Sequence, residues 1–346
     1  MRTFLAAGSA LCLTLLLAAT PARAALTASE LTLDEAVLNQ FNVVTTGDYS
    51  TSNDTEGRMA IGGNLTGSLN NVCFNGCSGN TTPVGGTTYG TLNVWGSVNA
   101  NVTMGGGSAY IKGSRSGSLN LNGGSTLQSS FPFASPMPFA TPLTDLASSI
   151  AADAQSDTGT VAAGALVQNA TPQITATKAA GTYGGKNYGF ITISLANLAT
   201  YVNFGGIVTS GFTSGVDAVF VVVTGAPGAT SATLPGMNAT NGDPNVIWDF
   251  VDATSLTFSG SWYGDILAPD ATVTNKGDLN GTVFAQSINQ LSEIHNYNLP
   301  TDILSGLPTT TVSQSSPVVE PSTLAVLFVG IFGLAFARRK AAHAAA

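Results

Sequence analysis

The chain has 346 residues, of which 44% are hydrophobic, only 9% are charged and 40 are glycine. Eleven Lys and Arg stand against 19 Asp and Glu, a formal net charge of −8. So few cations speak against nucleic-acid binding and against docking on an anionic membrane surface, because both need clustered Lys and Arg. Short bursts of Val, Ile, Leu and Phe among Gly, Ser, Thr and Asn fit an extracellular all-β protein, and they set the chain apart from disordered compositions.

At the N-terminus, Arg2 precedes an apolar run over residues 5–19, and Ala22-Arg23-Ala24 places small residues at alternate positions. This order predicts a secretory signal peptide over residues 1–24, cut by signal peptidase before Ala25. Losing Arg2 and Arg23 leaves 9 basic residues against 19 acidic, a net charge of −10. The body over residues 25–307 is long enough for one large domain.

Four segments then share one texture: Gly57-Arg58-Met59-Ala60-Ile61-Gly62, Gly90-Thr91-Leu92-Asn93-Val94-Trp95-Gly96, Ser108-Ala109-Tyr110-Ile111-Lys112-Gly113 and Gly117-Ser118-Leu119-Asn120-Leu121-Asn122-Gly123. Each is a short strand with apolar residues at alternate positions. None is long enough to build its own core, whereas stacked strands bury one continuous apolar column. Cys12 leaves with the leader. Cys73 and Cys77 remain, in Cys73-Phe74-Asn75-Gly76-Cys77, and in an oxidising compartment this pair is expected to close a small disulfide loop. A metal site would need further ligands.

The proline-rich stretch from Phe131 to Phe139 cannot be a central strand. After it, Thr141-Pro142-Leu143 reads as a helix start with Thr141 as N-cap, and Leu143, Leu146, Ile150 and Ala154 share one face. The helix is expected to pack on the flank of the strand stack. Phe190-Ile191-Thr192-Ile193 and Ala218-Val219-Phe220-Val221-Val222-Val223 read as buried strands. The alternating texture returns in Val246-Ile247-Trp248-Asp249-Phe250, Ser255-Leu256-Thr257-Phe258, Ala271-Thr272-Val273-Thr274 and Asn280-Gly281-Thr282-Val283-Phe284-Ala285. The expected fold is therefore all-β, a right-handed parallel β-helix (β-solenoid) with one flanking α-helix. A β-sandwich is the alternative for short strands with frequent turns.

Residues 308–318 form a polar linker. Residues 319–346 hold Val319-Glu320-Pro321-Ser322-Thr323, an uncharged run over residues 321–337, and then Arg338-Arg339-Lys340. The run is at the lower edge of a membrane-spanning helix, and its basic end is expected to stay cytoplasmic. With this segment also removed, 6 basic residues face 18 acidic in the body, a net charge of −12. The segment resembles the PEP-CTERM sorting signal through Glu320, Pro321, Ser322, Thr323, the apolar run, Arg338 and Arg339, with Val319 where that signal has proline. The resemblance implies handling by an exosortase-type enzyme. It also implies transient anchoring in the inner membrane and a final place at the cell surface or in the extracellular matrix. A plain tail anchor is the alternative.

The body is similar to the choice-of-anchor A domain, a bacterial surface domain. The similarity runs from about Phe41 to Leu299, through Phe41-Asn42-Val43-Val44, Gly47-Asp48-Tyr49-Ser50, Asp54-Thr55-Glu56-Gly57-Arg58, Asp265-Ile266-Leu267-Ala268-Pro269 and Gly281-Thr282-Val283-Phe284-Ala285. Its architecture also looks like that of bacterial ice-binding solenoids with a flanking helix.

No catalytic, cofactor or metal set stands out. His295 is the one histidine of the body and reads as a polar rim residue, which leaves no base for a Ser-His-Asp triad. Asp249, Asp252, Asp265, Asp270 and Asp278 show no clear glycosidase pair, and turn roles explain aspartates readily. Asn53-Asp54-Thr55-Glu56 and Asp243-Pro244-Asn245 offer oxygen ligands for calcium, with turn capping as the ordinary reading. The leading expectation is a non-enzymatic surface or matrix protein that adheres to exopolysaccharide or neighbouring cells and contributes to biofilm. In this reading Trp95, Trp248 and Trp262 stack on sugar rings if exposed. The alternatives are an ice-binding solenoid, with Thr175-Ala176-Thr177 and Thr272-Val273-Thr274 as isolated hints, and a polysaccharide-cleaving enzyme.

Overall fold

Strands of two to eleven residues cannot hide an apolar face alone, and here they do so by stacking in parallel. The computed structural model describes residues 26–73, 82–156, 162–163, 174–175, 181–200, 207–208, 216–225, 230–237, 245–297 and 299–309. These belong to a unit that ends at Thr309. The expected leader and sorting segment lie outside the described residues, as do Cys77, Thr177, Asp243, Pro244 and the sorting residues Glu320 to Arg339. Among the described residues no helix is long and apolar enough to cross a membrane.

The strands form three faces. On face one, neighbours run in the order Lys186–Ser194, Ala218–Thr224, Val246–Phe250, the start of Asp265–Asn275, the start of Val283–Gln290, Phe41–Thr45, Arg58–Ile61, Leu92–Val94, Ser108–Ile111 and Thr126–Leu127. Face two stacks Ser231–Leu234, Ser255–Phe258, the ends of Asp265–Asn275 and Val283–Gln290, Tyr49–Thr51, Leu65–Val72, Val98–Met104 and Arg115–Ser116. Face three stacks Trp262–Tyr263, Leu279–Asn280 and Ile294–His295, continues through Thr55 and Val72, and ends at Leu119–Leu121. All these pairings are parallel, so the expected β-solenoid stands and the sandwich does not. Tight corners join the faces. At one of them Gly281 has φ +145, and a Cβ there would lie 2.5 Å from the Gly264 carbonyl of the coil beside it.

The stack does not follow chain order. The first coil lies between the second and the last, with Val43 beside Val283 and Met59, and Thr55 beside Ile294 and Val72. The chain starts in the middle of the solenoid and builds to one end. It then returns along the flank and builds from the other end back to its start. This seam joins segments about 240 residues apart, and side chains stitch it. Asn42 donates to the carbonyls of Gly281 (2.7 Å) and His295 (2.9 Å). Thr282 donates to the Phe41 carbonyl at 2.6 Å. Gln290 accepts from Tyr49 at 2.6 Å and also from Thr51. Burial pushes the Tyr49 phenol well up, so it stays a donor.

Two apolar cores result. The inner column holds Val43, Ile61, Val94, Val221, Trp248, Phe258 and Trp262. An outer core lies between face one and its cover, with Phe41, Val44, Phe220, Val222, Ile247, Leu267 and Phe284 on the sheet side. Face one is thus apolar on both sides, which is why Ala218–Thr224 reads as a continuous apolar run.

The cover holds two long helices, where the sequence suggested one. Helix α1, Ala28–Gln40, starts in a capping box: Glu30 N–H donates to Thr27 Oγ1 and Thr27 N–H to Glu30 Oε2. Its apolar periodicity is weak, because Asp34 and Gln40 lie among its buried positions. That is the physical reason it escaped a pattern reading. Helix α2, Ala140–Ser156, buries Leu143, Leu146, Ile150 and Ala154 as expected. It begins at Ala140, so Thr141 lies within the first turn and is not the N-cap. Pro142 sits in that turn, where a missing N–H costs nothing. A short helix α3, Leu195–Leu198, adds Leu195 and Leu198 to the inner core.

Candidate functional site

Alternation along each face-two strand sends one residue inward and the next out. The inward set is mostly apolar, with Thr51, Asn275 and Gln290 as buried polar members, and the outward set is hydroxyl or amide. Parallel register aligns these outward residues from coil to coil. One column reads Thr233, Thr257, Thr274, Asn289, Ser50, Thr66, Asn99 and Ser116. A second column beside it begins Ser231, Ser255, Thr272 and Ser287. Adjacent coils are about 4.8 Å apart and alternate residues on one strand about 6.7 Å apart. Face two is therefore a grid of polar groups on a rigid support.

Part of the grid spends its hydrogen bonds internally. Thr272 and Ser287 bond to each other at 2.9 Å, and Ser116 donates to Asn99 at 2.9 Å. At the edge of the face, Asn64 N–H donates to Asp48 at 2.7 Å and Ser114 to Ser97 at 3.1 Å. Among the described residues, the side chains of Thr233, Thr257, Thr274, Asn289, Ser50 and Thr66 make no hydrogen bond within the protein. They lie exposed or half-exposed in one line. Their donors and acceptors are aligned and available.

Thr272 and Thr274, isolated hints in the sequence, are thus part of an array. The repeated signal is hydroxyl–apolar–hydroxyl or amide, in Ser231-Ala232-Thr233, Ser255-Leu256-Thr257, Thr272-Val273-Thr274 and Ser287-Ile288-Asn289. Successive copies start 24, 17 and 15 residues apart, so no fixed period betrays them. Thr175 lies elsewhere, in a short strand beside Ala162–Ala163 and Ile207–Val208.

The tryptophans do not form a sugar-stacking surface. Trp248 and Trp262 are fully buried in the inner column with ring centroids 4.9 Å apart, and Trp248 donates to the Tyr263 carbonyl. Trp95 is 7% exposed, packs with Phe131 and Phe133 in the outer core, and donates to the Ala134 carbonyl at 2.6 Å. The physical reason is size: an indole buries more apolar surface than any other side chain, and a narrow solenoid fills its column with it. Among the described residues, Tyr297, on the face-three side, is the large aromatic that is exposed instead.

Other sequence candidates settle into structural roles. His295 bonds through Nδ1 to Asn280 and through Nε2 to Glu293 on face three, as a rim residue. Arg58 is buried, lies 4.7 Å over the Phe41 ring and donates to Gln40 and to the carbonyls of Tyr89 and Gly90. Burial lowers its pKa to about 10. Glu56 accepts from Asn296 N–H and Asp54 from Asn71, so both tie neighbouring coils together. Asp249 and Asp265 are wholly buried, and burial holds both carboxyls well above the usual range. Neither can reach a polysaccharide. Among the described residues no group of three or more metal-ligating side chains is present. Cys73 is buried.

The family described as "Putative Ice-binding-like adhesive domain" matches residues 34–296. An ice-binding protein from the Antarctic ascomycete Antarctomyces psychrotrophicus is a similar solved structure. It is 14% identical, with 78% of this chain and 98% of that chain covered and a TM-score of 0.27. Nothing among the curated proteins matches the chain.

Proposed function

Because the chain belongs to the ice-binding-like adhesive domain family, we propose that it is an exported, non-enzymatic adhesive protein whose binding surface is face two. The observation that carries this reading is the line Thr233, Thr257, Thr274, Asn289, Ser50 and Thr66, whose side chains are in register and have no hydrogen-bond partner among the described residues. Each hydroxyl or amide adds only about 1 kcal/mol of net hydrogen bonding. A row on a rigid support adds many such bonds without ordering any backbone. A long polyhydroxylated polymer offers donors and acceptors repeatedly along its length, so exopolysaccharide is the partner class that fits. Binding there supports a role in matrix or biofilm adhesion.

In this reading the 1–24 leader is removed by signal peptidase. Residues 25–307 are a choice-of-anchor A-like body, and 308–318 are its linker. The 319–346 segment, with Glu320, Pro321, Ser322, Thr323, Arg338 and Arg339, anchors the chain in the inner membrane until an exosortase-type enzyme acts. The protein ends at the cell surface or in the matrix. A Cys73–Cys77 clip suits that oxidising setting.

The test is saturable binding of purified residues 25–309 to isolated host exopolysaccharide and intact cells. Thr257→Tyr, which breaks the flatness of face two, is expected to abolish binding and leave the melting temperature unchanged. Undiminished binding by a folded Thr257→Tyr protein overturns the reading. Ice is the second reading, favoured by three successive coils that present Ser/Thr, Ser/Thr and Thr/Thr in register. Thermal hysteresis and inhibition of ice recrystallisation, lost in the same variant, would move the assignment from polysaccharide to ice.

A further inference from the structure

The two ends of the solenoid are finished differently. At one end α3 lies against Lys186–Ser194, Ala218–Thr224 and Ser231–Leu234 and closes the inner column with Leu195 and Leu198. There the outer edge of Lys186–Ser194 is also occupied, by the antiparallel strand Gly181–Tyr183. At the other end the final strands are Arg115–Ser116, Leu119–Leu121 and Thr126–Leu127, each paired on one side. Leu121 stacks on Met104 and Leu127 on Ala109, and both supporting residues belong to the buried inner column. The two leucines are therefore the next layer of that column, yet they are 39% and 40% exposed. Among the described residues nothing covers them. An uncapped repeat stack carries both an apolar platform and open strand edges, and each of these invites a partner.

Charge says which partner. Residues 57–144 contain no Asp or Glu, whereas the rest of the body carries 18. Two copies of so acidic a body repel each other least where they meet through an acid-free surface. The open end is such a surface, and its exposed charges are Lys112 and Arg115. We infer that this end is the docking surface for a second copy of the same chain, open end against open end about a twofold axis. A twofold contact is self-complementary: Leu121 and Leu127 pack against their mates, and exposed strand edges meet antiparallel. The acidic halves point away from each other. Growth into a filament does not follow, because a twofold contact uses the open end of both copies and so closes on itself. The dimer sets two copies of face two on one rigid rod, which raises avidity for a repeating ligand. The inference stands whatever face two binds.

Both apolar cores lie within residues 26–307, so residues 25–309 keep every core contact. Sedimentation equilibrium of that fragment at rising concentration is expected to show monomer and dimer, with no larger species. The double variant Leu121→Asp/Leu127→Asp is expected to remain monomeric at every concentration, with the circular dichroism and melt of the parent. A parent that is monomeric throughout, a parent that grows beyond a dimer, or a folded double variant that dimerises like the parent overturns the inference. If the double variant fails to fold, spin labels on the intact leucine background decide. A label at Ser116→Cys is expected to give a short distance between copies, and one at Ser231→Cys, toward the capped end, is not. No short distance at Ser116, or a short one at Ser231, overturns it.

Discussion

Face one and face two are built from the same coils, and often from the same strands, yet they do opposite work. Asp265–Asn275 contributes Ile266 and Leu267 to face one, where both sides are buried, and Thr272 and Thr274 to face two, where one side meets solvent. Inward residues are mostly apolar on both faces. The outward residues differ: Phe220, Ile247, Leu267 and Phe284 lie under the cover on face one, and Thr233, Thr257, Thr274 and Asn289 lie in the open on face two. A parallel solenoid thus separates a covered core from an open polar surface by face, because alternation lets one strand serve the core and a surface at once.

The sharpest way to break this division is at Phe220, which stacks on Phe190 with centroids 5.2 Å apart. Phe220→Ala is expected to cost about 3–5 kcal/mol, read by denaturant unfolding. A loss below about 1 kcal/mol would mean that the cover is not a true second core.

The buried acids lie on the covered side, and they give it a pH signature. Burial first, then the charges of Glu30 and Asp145, push the Asp34 carboxyl up to about 8. The folded state therefore holds a proton that the unfolded state has lost between about pH 4 and 8, so stability falls as pH rises through that window. Asp34→Asn is expected to be more stable than the parent at pH 8, on the order of 3 kcal/mol, with no gain at pH 4. Thermal melts across the window check this, and a gain independent of pH would contradict it. Asp249 and Asp265 shift in the same direction and steepen the same slope.

At the seam, Gln290→Ala leaves the Tyr49 and Thr51 hydroxyls without their shared acceptor. The expected cost is about 2 kcal/mol. The change should also speed unfolding measured by stopped flow, because this contact closes a loop of 241 residues. The smallest stability effect belongs to face two. Thr257→Val is expected to change stability by less than about 0.5 kcal/mol while weakening binding to the polymer. A large stability loss there would erase the contrast between the faces.

The sequence by itself determined the parallel-strand texture, the turn glycines, the α2 face over Leu143, Leu146, Ile150 and Ala154, and the surplus of small polar residues that face two displays. These are local properties, fixed by alternation, helical spacing and backbone freedom within a few residues. Only the tertiary structure decided which residues become neighbours. It placed the first coil against the last, which no local pattern encodes because the partners are about 240 residues apart. It also sent Trp248 and Trp262 inward, since the same alternating strand can turn either face to the core until its neighbours are known. Finally, it aligned Thr233, Thr257 and Thr274 into one row although unequal loops separate them. Register is set by backbone pairing between coils, and the chain length between two coils leaves no trace in it.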